Sequence, residues 1–353
     1  MYYQKLLYIF FLILALNLSF FSTNKVNAQA FFIDEIEISE KLENNFNKDI
    51  LINKGFEKAF KKLMGKLIQS KDFNKIKSIS LNEIKSMIET FSIKEEKFIN
   101  KTYNLNLGVS FNKKKIFNYL DSKNIFPSQI IEEKFLFIPI IIDQSKTNLF
   151  VFSNNPIYEN WKKENEKNYL IDYILPTEDL DDLNLIKENY LELENYDFEE
   201  IIKRYFLNNS IIALFFKDDN QIKVLSKIYI KDKKVIKSNS FKNIDLENSQ
   251  NLAKLMNDLK ISYEDFWKEN NLINTSIKLP LLIKVDNKNF DLSSKFEETL
   301  DKIDLISNYS ISKFDKDFIF FEVIFNGTTT NFINIMKDQN YNFDTQKKTW
   351  ILK

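Results

Sequence analysis

The spacing of apolar side chains changes period repeatedly along the chain, and each change marks an element. Ile33, Ile36 and Ile38 open on a strand. Ile52, Phe56, Ala59, Leu63 and Leu67 then recur at steps of three and four and trace one face of a helix. Ser80 and Glu83 have the S-x-x-E spacing of a capping box, which predicts a second helix with Leu81, Ile84, Ile88 and Phe91 turned inward. Tyr103, Leu105, Leu107, Val109 and Phe111 alternate strictly with polar or small residues, the pattern of a strand buried on one face. A short helix over 113–120 completes a β-α-α-β-α unit spanning 31–130, and Phe126-Pro127-Ser128 reads as its exit.

Residues 135–142 form a near-continuous apolar run, the mark of a strand covered on both faces. A helix bearing Trp161 and a strand over 169–175 follow, the strand ended by Pro176. Thr177 then caps a helix running through Leu180, Leu183 and Ile186, and Ile201, Ile202, Tyr205 and Phe206 belong to another. Residues 210–216 read as a second buried strand, 222–230 and 235–241 as an antiparallel pair turning at 231–234, and 247–269 as a long helix. This alternation over 131–271 predicts an α/β sandwich with a partly parallel core. The last stretch, 277–353, reads strand, helix, strand, strand, helix, strand, the ferredoxin-like βαββαβ order, and is expected to fold alone. Asp315-Lys316-Asp317 is its hairpin, and Asn326-Gly327-Thr328 ends a strand and caps the next helix. The expected class is α/β and α+β, in three small domains.

Residues 1–30 follow a different logic. Lys5 precedes an apolar stretch over 6–21, a polar segment leads on to 27, and Ala28-Gln29-Ala30 is an A-x-A site. This is the pattern of a signal peptide cleaved after Ala30, so the mature chain is expected to be periplasmic and to start at Phe31. The apolar stretch is short for a membrane-spanning helix, and nothing later is long enough to span.

Composition narrows the chemistry. The chain contains no Cys and no His, which removes disulfides, thiolate zinc, thiol nucleophiles, imidazole bases and the Ser-His-Asp triad. The four glycines, Gly55, Gly65, Gly108 and Gly327, fit no P-loop, GxGxxG turn or GxSxG elbow. Lys plus Arg and Asp plus Glu are both 50, and Arg204 is the one arginine, so no nucleic-acid partner is expected. Lys, Asn, Ile and Phe crowd the whole chain, the coding bias of an AT-rich genome. Lysine runs such as 113–115 and 231–234 therefore read as a helix start and a turn.

Three constellations retain some chemistry. Glu178, Asp179, Asp181 and Asp182 could hold a cation, but they follow Pro176-Thr177 and lack the D-x-D-x-D-G turn, so they read as the acidic first turn of a helix. Ser110–Lys113 and Ser310–Lys313 have the S-x-x-K spacing of some acyl-transfer enzymes. On a strand, residues three apart face opposite ways, which would keep each pair apart. A pair of carboxylates hydrolysing a glycan needs only two well-placed acids, and no pair is singled out. No catalytic, cofactor-binding or metal-binding residue is therefore assigned, and no cofactor is expected.

The segments AFKKLMGKL at 59–67, YNLNLGVSFN at 103–112 and IDYILPTEDLDDLNLI at 171–186, with the leader, make the chain resemble an uncharacterised family of exported proteobacterial proteins, a domain-of-unknown-function family. The middle unit is similar to the amino-terminal α/β domain of the TolB family. That resemblance implies docking on envelope partners and supplies no catalytic residues. The function expected is a non-catalytic binding or assembly adaptor with an envelope protein or glycan partner. The alternative is a carboxylate-dependent envelope hydrolase acting on glycan or peptidoglycan.

Overall fold

A computed structural model describes residues 31–42, 46–144, 148–162, 170–218, 221–230, 233–288 and 290–353. The expected leader lies outside them. Among the described residues the chain is a mixed α/β protein with three sheets and ten α-helices.

The first sheet is antiparallel, with β1 (Phe32–Lys41) and β2 (Ile88–Ile99) on either side of β3 (Thr102–Phe111). A bulge between Ile33 and Ile36, with Glu35 at φ 54°, lets residues three apart share one face. Helix α1 (Lys48–Leu67) lies on that face. The Asn47 side chain caps it by accepting from the amides of Asp49 and Ile50, and Leu51, Phe56, Ala59, Leu63 and Leu67 are buried. Gly55 marks its closest approach to the sheet, since a Cβ there would sit 2.5 Å from methyls of both Ile38 and Leu107. A short α2 (Phe73–Ile76) precedes α3 (Leu81–Met87), which the Ser80–Glu83 capping box opens as expected.

Beyond Met87 the expectation fails. Ile88 and Phe91 do not continue the helix; they begin β2, a strand the sequence pattern did not suggest. Bulges at 88/90 and 93/95 break its alternation, so its apolar positions mimic helical spacing. Most of β2 is exposed, because it is an edge. Helix α4 (Lys113–Ser122) completes the unit.

In the middle sheet, β4 (Glu133–Asp143) is paired in parallel with β6 (Ile171–Ile174) along its first half. Along its second half it is antiparallel to the short β5 (Asn148–Phe150). On its other side β7 (Asn209–Asp218) runs parallel to it, and β8 (Gln221–Ile230) and β9 (Lys233–Lys242) extend the sheet antiparallel. The apolar run of β4 is buried on both faces. Phe135, Phe137 and Ile141 enter one core with Trp161 and the long helix over 249–270; Leu136, Ile138, Ile140 and Ile142 enter the other. Each buried aliphatic or Phe side chain contributes about 1.5–3 kcal/mol. The helices are α5 (Pro156–Asn160), α6 (Leu180–Glu188), α7 (Glu199–Arg204) and α8 (Ser249–Asn270). Two boundaries move. Asp179, not Thr177, caps α6, and Phe206 lies beyond α7 at φ 52°, exposed.

The third sheet has the order β11 (Ile306–Phe314), β12 (Phe318–Phe325), β10 (Leu279–Asp286), β14 (Thr349–Leu352), β13 (Phe343–Asp344). Helices α9 (Phe290–Lys302) and α10 (Thr329–Asp338) cover one face, on which Phe321, Val323, Phe325, Phe332 and Met336 are buried. In place of the single closing strand expected over 341–352, the chain forms a β13–β14 hairpin. The extra reversal makes β14 parallel to β10, whereas a βαββαβ order would leave it antiparallel. The buried side chains of the first and third sheets form one contiguous cluster that includes Ile125 and Ile273.

Candidate functional site

Where the first and third sheets approach, a polar cleft of about 460 Å³ opens. One wall is the start of the first sheet: Phe31, Phe32 and Ile33, then Ser110 and Phe111 at the end of β3. The opposite wall carries Asp301, Lys302 and Asp304 from the end of α9, and Lys66, Glu89, Lys113 and Glu132 close the rim. Lys113 is the first residue of α4, whose cap is Asn112. Its amine donates to the Ile303 carbonyl at 2.7 Å and pairs with Asp304 at 3.4 Å, so it clasps the first sheet's helix to the third unit. Burial pushes the Lys113 amine down and the Asp304 carboxyl up, and each partner's charge opposes the other's shift. Lys66 pairs with Glu132 at 2.6 Å. Tyr309 lies beside Asp301 and Glu297, and its burial and those two acids push its hydroxyl well above the ordinary phenol range.

The second feature is the helix-free face of the third sheet. Cross-strand register places Leu282 and Lys284 of β10, Phe318, Phe320 and Ile324 of β12, and Ile351 of β14 on it, all half-buried. The Lys284 ammonium lies 4.1 Å from the Phe318 ring centre and the Lys313 ammonium 5.4 Å from that of Phe320. A hollow of about 690 Å³ there is also lined by Lys316, Lys347 and Lys348. Of its two acids, Asp315 accepts from the amides of Asp317 and Phe318, which holds its carboxyl below the usual range, and Asp317 lies 3.8 Å from Lys288.

The residues singled out in the sequence fall as follows. Asp179 accepts from the amides of Asp181 and Asp182, and Asp182 is buried against Arg204 at 2.6 Å with the Tyr205 hydroxyl at 3.3 Å. The acidic group is thus a helix start tied to the chain's one guanidinium. Among the described residues no group of three or more acids could hold a metal ion. Both S-x-x-K pairs correct the opposite-face argument. The chain leaves the strand after Phe111, so Ser110 and Lys113 line the same cleft, although Ile303 and Asp304 hold the amine. A bulge between Ile311 and Lys313 brings Ser310 opposite Glu322 and Lys313 opposite Phe320, on one face.

Sequence reading missed a row of buried charges on α8. Lys260, Glu264 and Lys268 recur every four residues, so they share a helix face. Lys260 donates to the Trp161 carbonyl at 2.9 Å, Glu264 accepts from the Ile171 amide at 2.8 Å, and Lys268 donates to the Gly65 carbonyl. Beside them Asp265 accepts from the Ser70 amide at 2.7 Å. The four-residue period was the available signal. Lys227 gave none, since it interrupts a buried strand; it is fully buried and donates to the Leu193 and Tyr196 carbonyls at 2.9 and 2.8 Å.

No protein-family model matches the chain, and no curated protein is significantly similar to it. Among the described residues no helix is long and apolar enough to cross a membrane.

Proposed function

We propose that the chain is exported, cleaved after Ala30, and works in the periplasm as a non-catalytic adaptor that docks an acidic envelope protein on the helix-free face of its third sheet. One observation carries this: Phe318 and Phe320 stand half-buried at the centre of that face under the Lys284 and Lys313 ammoniums, with three more lysines at its edge. Apolar area flanked by five lysines, with Glu322 as the exposed acid next to Phe320 on the same strand face, suits a partner that brings both an apolar contact and negative charge. The resemblance of the middle unit to the TolB amino-terminal domain, and of the first two units to an exported domain-of-unknown-function family, points the same way. The competing reading, carboxylate hydrolysis of a glycan, would use the cleft; there Asp304 and Glu132 are engaged by Lys113 and Lys66, which favours a fixed charge lattice over a free acid–base pair.

The test is site-specific photo-crosslinking in the exporting cell. A photoreactive residue at 320 is expected to trap a discrete partner, and Lys284→Glu to abolish the adduct. Equal trapping from a control position on α8 such as Lys254, or hydrolase activity lost on Asp304→Asn with no adduct at 320, would sink the adaptor reading.

A further inference from the structure

We infer that the outer edge of β9 is a docking site for an acidic, extended segment of another protein, which adds to the middle sheet as its next strand. The site is separate from the proposed docking face of the third sheet and does not depend on it. A sheet edge presents unpaired N–H and C=O groups, and proteins ordinarily blunt it with bulges, short strands or charge. The other edges among the described residues are blunted by irregularity or by shortness. β1 has a bulge between Ile33 and Ile36, β2 has two bulges, and β11 has two, between Ile306 and Asn308 and between Ile311 and Lys313. β13 has two residues, β5 three and β6 four. β9 is the exception. It pairs with β8 over ten successive residues with no register shift, and β8 is its one neighbour in the sheet.

The register fixes which groups face outward. The loops that close Asp218 on Gln221 and Ile230 on Lys233 each have two residues, so each closing pair is the hydrogen-bonded pair of a tight turn. Pairs along an antiparallel ladder alternate between bonded and non-bonded. Counted from either loop, the odd-numbered residues of β8 bond to β7 and the even-numbered ones to β9, so the two counts agree. On β9 the odd-numbered residues bond to β8, which leaves the amides and carbonyls of Lys234, Ile236, Ser238, Ser240 and Lys242 on the open side.

The side chains select the occupant. Val235 is 37% exposed and Ile236 56%, one on each face of the sheet, opposite Ile228 and Lys227. Lysines alone would guard an edge; two adjacent β-branched side chains in water work against that protection, and an added strand would pack on both. β8 and β9 together carry six lysines and no acid, and four of the lysines, Lys233, Lys234, Lys237 and Lys242, are on β9. A second copy of β9 would bring like charges against one another, which destabilises strand pairing. A strand with acids at alternate positions reverses that sign. The occupant is therefore an acidic segment of a different protein: main-chain hydrogen bonds supply its affinity and the lysines its selection.

The probe is a capped peptide of the length of β9, alternating glutamate with valine, added at about 1 mM to the purified protein, a concentration that reports weak recognition. Hydrogen exchange is expected to slow about tenfold at the amides of Ile236, Ser238 and Ser240, and much less at those of Val235, Lys237 and Asn239. The same peptide with lysine for glutamate should give no slowing, and N-methylation of alternate amides in the acidic peptide should remove it. Ser238→Pro takes away one outward N–H at a position where an edge strand tolerates proline, and should abolish the slowing at the other outward amides. Lys234→Glu combined with Lys242→Glu leaves the backbone intact and should make the lysine peptide the better ligand, which carries the test if the proline variant does not fold. Lys284→Glu, on the third sheet, should change none of this, so the two docking sites fail separately. No slowing at the outward amides, equal slowing by the N-methylated peptide through charge alone, or a dimer of the protein paired through β9 would each overturn the inference.

Discussion

Lys227 offers a direct test of how the middle sheet handles a buried charge. Its ammonium lies between β8 and the 193–198 segment, donating to two carbonyls and standing 5.1 Å from the centre of the Phe198 ring. Burial, with a smaller contribution from Lys234, pushes its amine down to about 8 from 10.5. Below pH 8 the folded and unfolded chains both carry the proton, and the folded one bears the full cost of burying it. Between pH 8 and 10.5 the unfolded chain holds more protons than the folded one, so stability rises with pH across that window and levels off above it. The rise is about 3 kcal/mol, from roughly 2.5 units at 1.36 kcal/mol each. In Lys227→Met the charge is gone, and so are two donors. The lost bonds cost about 1–3 kcal/mol per stranded carbonyl, offset near neutral pH by the relieved desolvation. The variant is therefore expected to lie close to wild type at pH 7 and to fall behind it by about 3 kcal/mol more at pH 10.5. Urea unfolding followed by tryptophan emission reads this, since Trp161 and Trp267 both lie in the core of the middle sheet. Parallel pH profiles for the two proteins would refute the reasoning.

The other expectations are simpler. Gly55→Val should cost about 1–3 kcal/mol in urea unfolding, because α1 must lift off Ile38 and Leu107; an unchanged midpoint would mean that the contact relaxes freely. Asp179→Ala should cost about 1 kcal/mol through loss of the α6 cap, with Thr177→Ala near neutral. Arg204→Met should cost more than either, about 2–3 kcal/mol, since it strands the buried Asp182 carboxylate. A fragment starting at Ile277 loses the Lys113 clasp and its share of the common core, so it should melt well below the whole chain, and equal melting would show that the third unit owes nothing to the first.

Much of the fold was legible because most elements keep one period from end to end. The helix through Phe56 and Leu63, the strand through Leu107, and the two-sided run of β4 have no bulges that alter their spacing over the residues read. Misreadings cluster where the period breaks. Two bulges disguise β2 as a helical continuation, and four residues between β13 and β14 turn one expected strand into a hairpin. The candidate sites were less legible for a different reason. The cleft joins Phe31, Lys113 and Asp304, which local patterning cannot bring together, and the S-x-x-K argument assumed that each strand continued regularly past its serine.

Net charge is a coarse guide for a related reason. A chain with 50 basic and 50 acidic residues has no long-range field to speak of, and this was reason enough to expect no general affinity for polyanions. Recognition acts over a Debye length of about 8 Å, however, and within that distance the signs are sorted. The helix-free face of the third sheet gathers lysines beside two phenylalanines; the two acids of its hollow are committed to a turn and to Lys288, and Glu322 stands exposed on the same face. The cleft a short way along the same unit has carboxylates in excess. A partner that meets the first surface would lose affinity as salt rises, while the net charge of zero predicts no salt dependence. The distribution of charge over the folded surface, and not its sum, is therefore what the adaptor reading depends on.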